Sequence, residues 1–232
     1  GGTEQKVMGV NGYAFLNNSL YGELGVYNTL SPGVQSRLGL SHIEGSDFGR
    51  LRNAPYWRLG YMQDLRTSNW HVGMFGFDGS LKDRQSGDLL TRFKDFGMDA
   101  SYQYLGNRQH VATVNASYVR ERTLDGADVR NTQKDYRLTT SYHYLNTYGA
   151  TFGVFKGTSS DQNAGNRGYI YQVDWTPWGK ESSWQAPWAN LRVGLQYVAY
   201  KRFIDDLGDG TFGPLAKPGN KNTLSVFAWT AF

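Results

Sequence analysis

Residues 92–105, RFKDFGMDASYQYL, alternate in polarity more cleanly than any other stretch of the chain. Successive side chains of a strand point to opposite faces. Extended, this segment sets Phe96, Met98, Ala100, Tyr102 and Tyr104 against Asp95, Gly97, Asp99, Ser101 and Gln103. Residues 109–120 answer it across Gly106-Asn107-Arg108, with Ala112, Val114, Ala116 and Tyr118 opposing Thr113, Asn115 and Ser117. A soluble sandwich alternates too, so a single hairpin does not separate the two cases.

The same unit recurs along the chain. Residues 6–17 and 20–28 pair about Asn17-Asn18-Ser19; on the second strand Leu20, Gly22, Leu24 and Val26 oppose Tyr21, Glu23 and Tyr27. Residues 54–65 and 70–78 pair about 66–69. Residues 134–145 set Tyr136, Leu138, Thr140, Tyr142 and Tyr144 against Asp135, Arg137, Thr139, Ser141 and His143, then turn through Asn146-Thr147 into 148–156. Strands at 168–177, 189–200 and 222–232 bring the count to eleven.

The connections are uneven. Short turns fall at 17–19, 66–69, 106–108 and 146–147; long polar segments fall at 29–53, 79–91, 121–131, 157–167 and 204–221. Outer-membrane barrels have short periplasmic turns and longer extracellular loops. The Trp-rich link 178–188 is long where that rule expects a short turn. Single-chain bacterial barrels have even strand counts, so eleven strands point to a twelfth upstream or to a strand hidden within 29–53. The reading is an all-β, transmembrane antiparallel up-and-down barrel of about 12 strands, one domain over 1–232. The last segment, NTLSVFAWTAF, ends on an aromatic, with Thr230, Ala228, Val226 and Leu224 on one face. Gram-negative outer-membrane barrels end similarly, and that resemblance implies that Phe232 is read by the assembly machinery.

Composition agrees with strands in a membrane. Mean hydropathy is −0.56, yet aromatics make up 15% of the 232 residues, and 16 of them are Tyr. A soluble core would favour Leu, Ile and Val. No apolar run reaches the roughly 18 residues of a transmembrane helix. Tyr102, Tyr104, Tyr142, Tyr144, Tyr148, Trp175 and Trp178 lie near strand ends on the short-turn side, where amphipathic rings suit a membrane–water boundary. The net charge of +4 is spread along the chain, with no basic block of the nucleic-acid type.

The opposite face supplies the candidate lumen: Glu23, Arg58, Asp64, Asp95, Asp99, Asp135, Arg137, Asp174 and Arg192. These mixed charges either line a water-filled passage for small solutes or ions, or pair across a narrow interior and fill it. The four histidines, His42, His71, His110 and His143, have no metal-ligand spacing. Ser141 and His143 share a face, a faint nucleophile–base signal. It defines the enzymatic alternative, an outer-membrane lipid-modifying catalyst disabled by Ser141→Ala or His143→Ala. A soluble carbohydrate-binding β-protein is the other alternative. The preferred reading is not an enzyme.

Asn11-Gly12-Tyr13 with Leu20-Tyr21, Ala54-Pro55-Tyr56-Trp57-Arg58, Tyr148-Gly149-Ala150-Thr151, Thr176-Pro177-Trp178, Gln196-Tyr197 and Asn222-Thr223-Leu224 together resemble the porin-like barrel portion of proteobacterial outer-membrane proteins labelled cytochrome c. In that group a haem-binding segment precedes the barrel. The resemblance implies a Gram-negative outer-membrane location, lipid and small solutes or ions as partners, and a haem domain or periplasmic cytochrome as a further one. It also implies a barrel that serves as a porin-like channel or as the sleeve of an extracellular electron-transfer conduit. With no cysteine, this sequence cannot hold a covalently attached c-type haem, which would have to sit on an upstream segment.

Overall fold

The computed structural model describes residues 6–39, 49–83, 86–106, 108–160, 165–180, 182–185, 188–203 and 218–231. Its strands are β1 (Val7–Leu16), β2 (Leu20–Thr29), β3 (Gly49–Leu51), β4 (Ala54–Asp64), β5 (Ser68–Asp83), β6 (Leu89–Tyr104), β7 (His110–Asp125), β8 (Arg130–Tyr144), β9 (Tyr148–Ser159), β10 (Gly165–Trp175), β11 (Asn190–Arg202) and β12 (Thr223–Ala231). One short helix, α1 (Pro32–Arg37), follows β2 and is capped by the Ser31 side chain. Among the described residues no helix is long and apolar enough to cross a membrane.

The strands form one antiparallel up-and-down sheet in the order β1-β2-β4-β5-β6-β7-β8-β9-β10-β11-β12, with β3 paired to β5 beside this path. Eleven strands therefore make up the ladder. The short strand within 29–53 exists, but as an appendage of β5, with Gly49 opposite Asp83 and Leu51 opposite Leu81. β1 and β12 stand at the two ends of the order.

Local chemistry explains the tight turns. Asn17 and Asn18 both have positive φ (49° and 52°), and the Ser19 amide donates to the Leu16 carbonyl at 3.0 Å. That is the two-residue turn whose twist matches the flanking strands, and Asn tolerates it well. Leu145 and Asn146 repeat it at 52° and 53°, closed by Thr147 N–H to the Tyr144 carbonyl at 3.0 Å. The turn therefore falls one residue earlier than the Asn146-Thr147 expectation, and places a Leu in a region costly for a side chain with Cβ.

Two of the expected long loops are mostly strand, and the one expected at 157–167 is strand over 157–159 and 165–167. β5 runs on to Asp83 and β6 begins at Leu89, while β7 runs to Asp125 and β8 begins at Arg130, so most of 79–91 and of 121–131 is strand. The extension is held by packing: Leu81 on β5 is 9% exposed against Leu51, 7% exposed. Segment 204–217 lies outside the described residues, so the loop expected at 204–221 is described only at its end, in the 3-10 turn Pro218–Lys221.

The chain groups into two compact units. The first joins Gly1–Met62, Gly73–Met98 and Val119–Gln133; the second joins Gln63–Val72, Asp99–Tyr118 and Lys134–Phe232. The core of the first is Leu51, Ala54, Leu81 and Phe93, with Tyr27, Phe77 and Leu90 packed against it. Phe93 shares the strand face of Asp95, and Ala54 that of Arg58. The face expected to be polar thus carries an apolar cluster in this unit. The other face carries most of the exposed apolar residues: Leu24, Leu59, Val72, Met74 and Met98 in the first and second units' strands, and Val114, Leu138, Phe152, Val173 and Leu195 in the second unit; Tyr13 and Trp229 are exposed on the face of Glu23 and Arg192.

Candidate functional site

The densest polar arrangement on the face opposite the exposed apolar residues belongs to the second unit and centres on Asp174. Register places Asp174 opposite Gly149 on β9 and Gly194 on β11, both without side chains, which leaves room for its carboxylate. Arg192 donates Nε–H to Oδ2 at 3.0 Å and Nη2–H to Oδ1 at 2.8 Å. This two-pronged geometry is the strong form of a guanidinium–carboxylate pair. Gln172 Nε2 donates to Oδ1 at 3.2 Å, Gln196 Nε2 donates to Gln172 Oε1 at 2.9 Å, and His143 Nε2 lies 3.9 Å from Oδ2. The Asp174 side chain is 1% exposed, whereas Arg192 is 36% and His143 32% exposed. The carboxylate is buried and its cationic partner reaches solvent. A Cβ on Gly149 would run into that carboxylate. Gly149→Ala is therefore expected to displace Asp174 from Arg192 and lower unfolding free energy by about 1–3 kcal/mol, measurable by urea titration of tryptophan emission.

A second cluster in the same unit was not anticipated. His71 on β5 bridges two residues of β6, with Nδ1 2.6 Å from Ser101 Oγ and Nε2 2.6 Å from Asp99 Oδ1. One neutral tautomer satisfies all three groups: Nε2–H donates to Asp99 and Nδ1 accepts from the Ser101 hydroxyl. The residue types are those of a nucleophile–base–orienter set. Acyl transfer also needs N–H donors aimed at the developing oxyanion. The amides of β6 serve the ladders with β5 and β7 on either side, and the cluster reads as a hydrogen-bonded polar ladder. Asn69 Nδ2 extends it by donating to Gln103 Oε1 at 3.2 Å.

The pair singled out from sequence, Ser141 and His143, is not a pair. Ser141 Oγ lies 3.0 Å from Thr151 Oγ1, while His143 faces Asp174. In an extended strand, residues two apart sit side by side: Ser141 meets Thr151 on the adjacent β9, whereas His143 reaches across Gly149 of β9 to Asp174 on β10.

In the first unit, Glu23 accepts from Asn11 Nδ2 at 2.8 Å and from the Tyr21 hydroxyl at 2.9 Å, and it stands in register with Arg58. The Arg58 guanidinium lies 5.8 Å from the centre of the Phe75 ring. Asp95 is half-buried, with Oδ1 buried and without a hydrogen-bond partner. It borders a cavity of about 290 Å³ whose lining is otherwise largely aromatic and aliphatic, including Tyr27, Tyr56, Phe75 and Phe93. Asp64, Asp135 and Arg137 are exposed and are not drawn into these clusters. Of the nine charged candidates, then, Asp174 joins Arg192, Glu23 faces Arg58, Asp99 holds His71, and the others stand apart. Among the described residues no group of three or more His, Asp or Glu side chains is placed to hold a metal ion.

The aromatic candidates Tyr102, Tyr104, Tyr142, Tyr144, Tyr148 and Trp175 are 39–59% exposed. Trp178 is half-buried and packs edge-on to Trp184 at 6.0 Å. Trp184 and Trp188, 78% and 79% exposed, add two large rings in the same link. His110 also belongs here: its Nδ1 is 2.6 Å from the Tyr142 hydroxyl and its ring lies 5.1 Å from that of Tyr144. Phe232 lies outside the described residues.

No family model matches the chain, and no curated protein matches it. Among solved structures it is similar to OmpT, an in-vitro folded outer membrane protein of Vibrio cholerae. For the trimer form the TM-score is 0.42 at 10% identity, over 96% of this chain and 91% of that one. A second structure of OmpT gives a TM-score of 0.38 at 10% identity, over 96% of this chain and 88% of that one.

Proposed function

We propose that the chain forms a β-barrel in the outer membrane of a Gram-negative bacterium and acts as a porin-like channel for small solutes or ions. One observation carries the reading: on strand after strand, the exposed residues of one face are large and apolar. Val114, Leu138, Val173, Leu195 and Leu224 are 36–65% exposed, and Val226 is 81% exposed. Water would penalise this surface by roughly 25 cal/mol per Å², whereas lipid accepts it. On β6 the apolar register runs from Phe96 to Tyr104 and on β8 from Tyr136 to Tyr144. That matches the roughly 9–11 tilted residues a strand needs to cross a bilayer. The exposed tyrosines and Trp175 at the short-turn ends suit the boundary layer.

On the other face, Asp174, Arg192, Gln172, Gln196, His71, Asp99 and Ser101 present donors and acceptors fixed on rigid strands. Such groups select what passes by charge and hydrogen bonding. The separation of Ser141 from His143 supports a channel over a catalyst. Planar-bilayer recording of the refolded chain tests the reading. Discrete, steady current steps are the expected result; silence from protein shown to be inserted would count against an open passage and favour a filled sleeve.

A further inference from the structure

We propose that Lys94, Arg120 and Arg122, above an aromatic floor of Trp57 and Phe96, form a binding site for the phosphorylated headgroup of a membrane glycolipid. The inference rests on the outer-membrane reading above. All five residues line one surface cavity of about 390 Å³ within the first unit. Trp57 and Phe96 touch with ring centres 6.4 Å apart and planes tilted by 45°.

Two features fix the chemistry of the occupant. The first is charge. Lys94 and Arg122 are exposed and Arg120 is half-buried, and none has an ion-pair partner among the described residues. The carboxylate that borders the cavity on the same face, Asp78, is engaged by Arg92 at 3.2 Å. Asp95 also borders it, but alternation puts its side chain on the opposite face from Lys94. The site therefore offers three positive charges to an anion, two of them guanidinium forks suited to phosphate oxygens.

The second feature is position. On β6 the apolar register Tyr104, Tyr102, Ala100, Met98, Phe96 gives way at Lys94; on β7 Ala112, Val114, Ala116, Tyr118 gives way at Arg120. The same change occurs at Lys134 on β8, Lys156 on β9, Arg167 on β10 and Lys201 on β11. The cations thus begin where the lipid-facing surface stops. An occupant there must carry an anionic head over an apolar body, which fits a lipid and not a free anion. β5 continues beyond this level to Asp83 and β6 begins beyond it at Leu89, as hairpins extend on the extracellular side of such barrels. The outer leaflet on that side of a Gram-negative outer membrane is built of phosphorylated glycolipid.

The test reconstitutes the full chain into neutral phosphatidylcholine vesicles containing either bis-phosphorylated lipid A or the same lipid with its phosphates removed. Native mass spectrometry after gentle detergent extraction counts the lipid retained. Retention of the phosphorylated form is expected to exceed that of the dephosphorylated form by roughly tenfold. It is expected to fall by a similar factor in the triple variant Lys94→Gln/Arg120→Gln/Arg122→Gln. Millimolar inorganic phosphate should leave it unchanged. Equal retention of the two lipids by the wild-type chain would overturn the proposal without any variant having to fold, and so would full displacement by inorganic phosphate. Insertion is scored separately by heat-modifiable gel mobility and vesicle flotation. A wild-type chain that does not insert sinks the membrane reading and this site together; one that inserts without discriminating the lipids sinks this site alone.

Discussion

Val114→Arg is expected to lower unfolding free energy in a bilayer by about 2–4 kcal/mol, while Asn115→Arg, one residue along β7, is expected to change it by less than about 1 kcal/mol. Val114 is 36% exposed and sits midway along the register Ala112, Val114, Ala116, Tyr118. In a membrane its surroundings are acyl chains, and a guanidinium there must snorkel or draw in water. Asn115 points to the opposite face, between Thr113 and Ser117, where a charge keeps its hydration. In a soluble β-protein the ranking would differ: an exposed Val changed to Arg usually shifts stability by within about 0.5 kcal/mol. Denaturant titration of both variants in vesicles decides between them. Near-equal stabilities would remove the main support for a lipid-facing surface.

Alternation exposed most of the ladder in the sequence because period-two patterning is the backbone's own geometry. Strand starts at Leu20, Ala54 and Tyr148 are where the pattern sets them. It failed where polarity and burial part company. Segment 79–91 is rich in Gly, Ser, Lys and Asp, which reads as loop, yet Leu81 and the close approach of Gly79 to Leu51 hold β5 extended to Asp83. The apolar cluster on the face of Arg58 and Asp95 was hidden for a related reason. Its members, Leu51, Ala54, Leu81 and Phe93, are single residues on four strands, and only the pairing of those strands gathers them.

The candidate site was legible one residue at a time but not as contacts. Asp174 and Arg192 both stand out as charges on a polar register, but their meeting depends on Asp174 facing Gly194 across the β10–β11 ladder, so that Arg192 reaches in from the adjacent position. His71 with Asp99 and Ser101 spans a separation of about thirty residues that no local spacing rule covers. The signal that could have found it was present: a polar residue at 71 on the register facing 99 and 101 in the next strand of a hairpin. The cations at Lys94, Arg120, Lys134, Lys156, Arg167 and Lys201 were equally readable, since each closes an apolar run of fixed parity. Net charge, being small and summed over the chain, conceals that placement.

The Asp174–Arg192 pair yields the second large effect, and its asymmetry is the informative part. Removing one partner of a buried pair costs about 3–5 kcal/mol when the remaining charge has no other compensation. Here the two partners are unequally buried, with Asp174 at 1% and Arg192 at 36% exposure. Arg192→Met would leave a shielded carboxylate with only Gln172 as a hydrogen-bond donor and His143 nearby, so it should fall within that range. Asp174→Ala would leave a cation that still reaches water and stacks near the Phe227 ring, 6.0 Å away, so about 2 kcal/mol is expected. The double variant Asp174→Leu/Arg192→Met removes both charges and should recover most of the loss, because a buried pair contributes little net stability over an apolar replacement. A double-mutant cycle from urea titrations, closed with the single variants Asp174→Leu and Arg192→Met, measures this. Additive costs would show that the two side chains do not act as a unit. If Asp174→Ala proved the more damaging single change, the carboxylate would not be the shielded member of the pair, and the burial that ranks the two variants would be wrong.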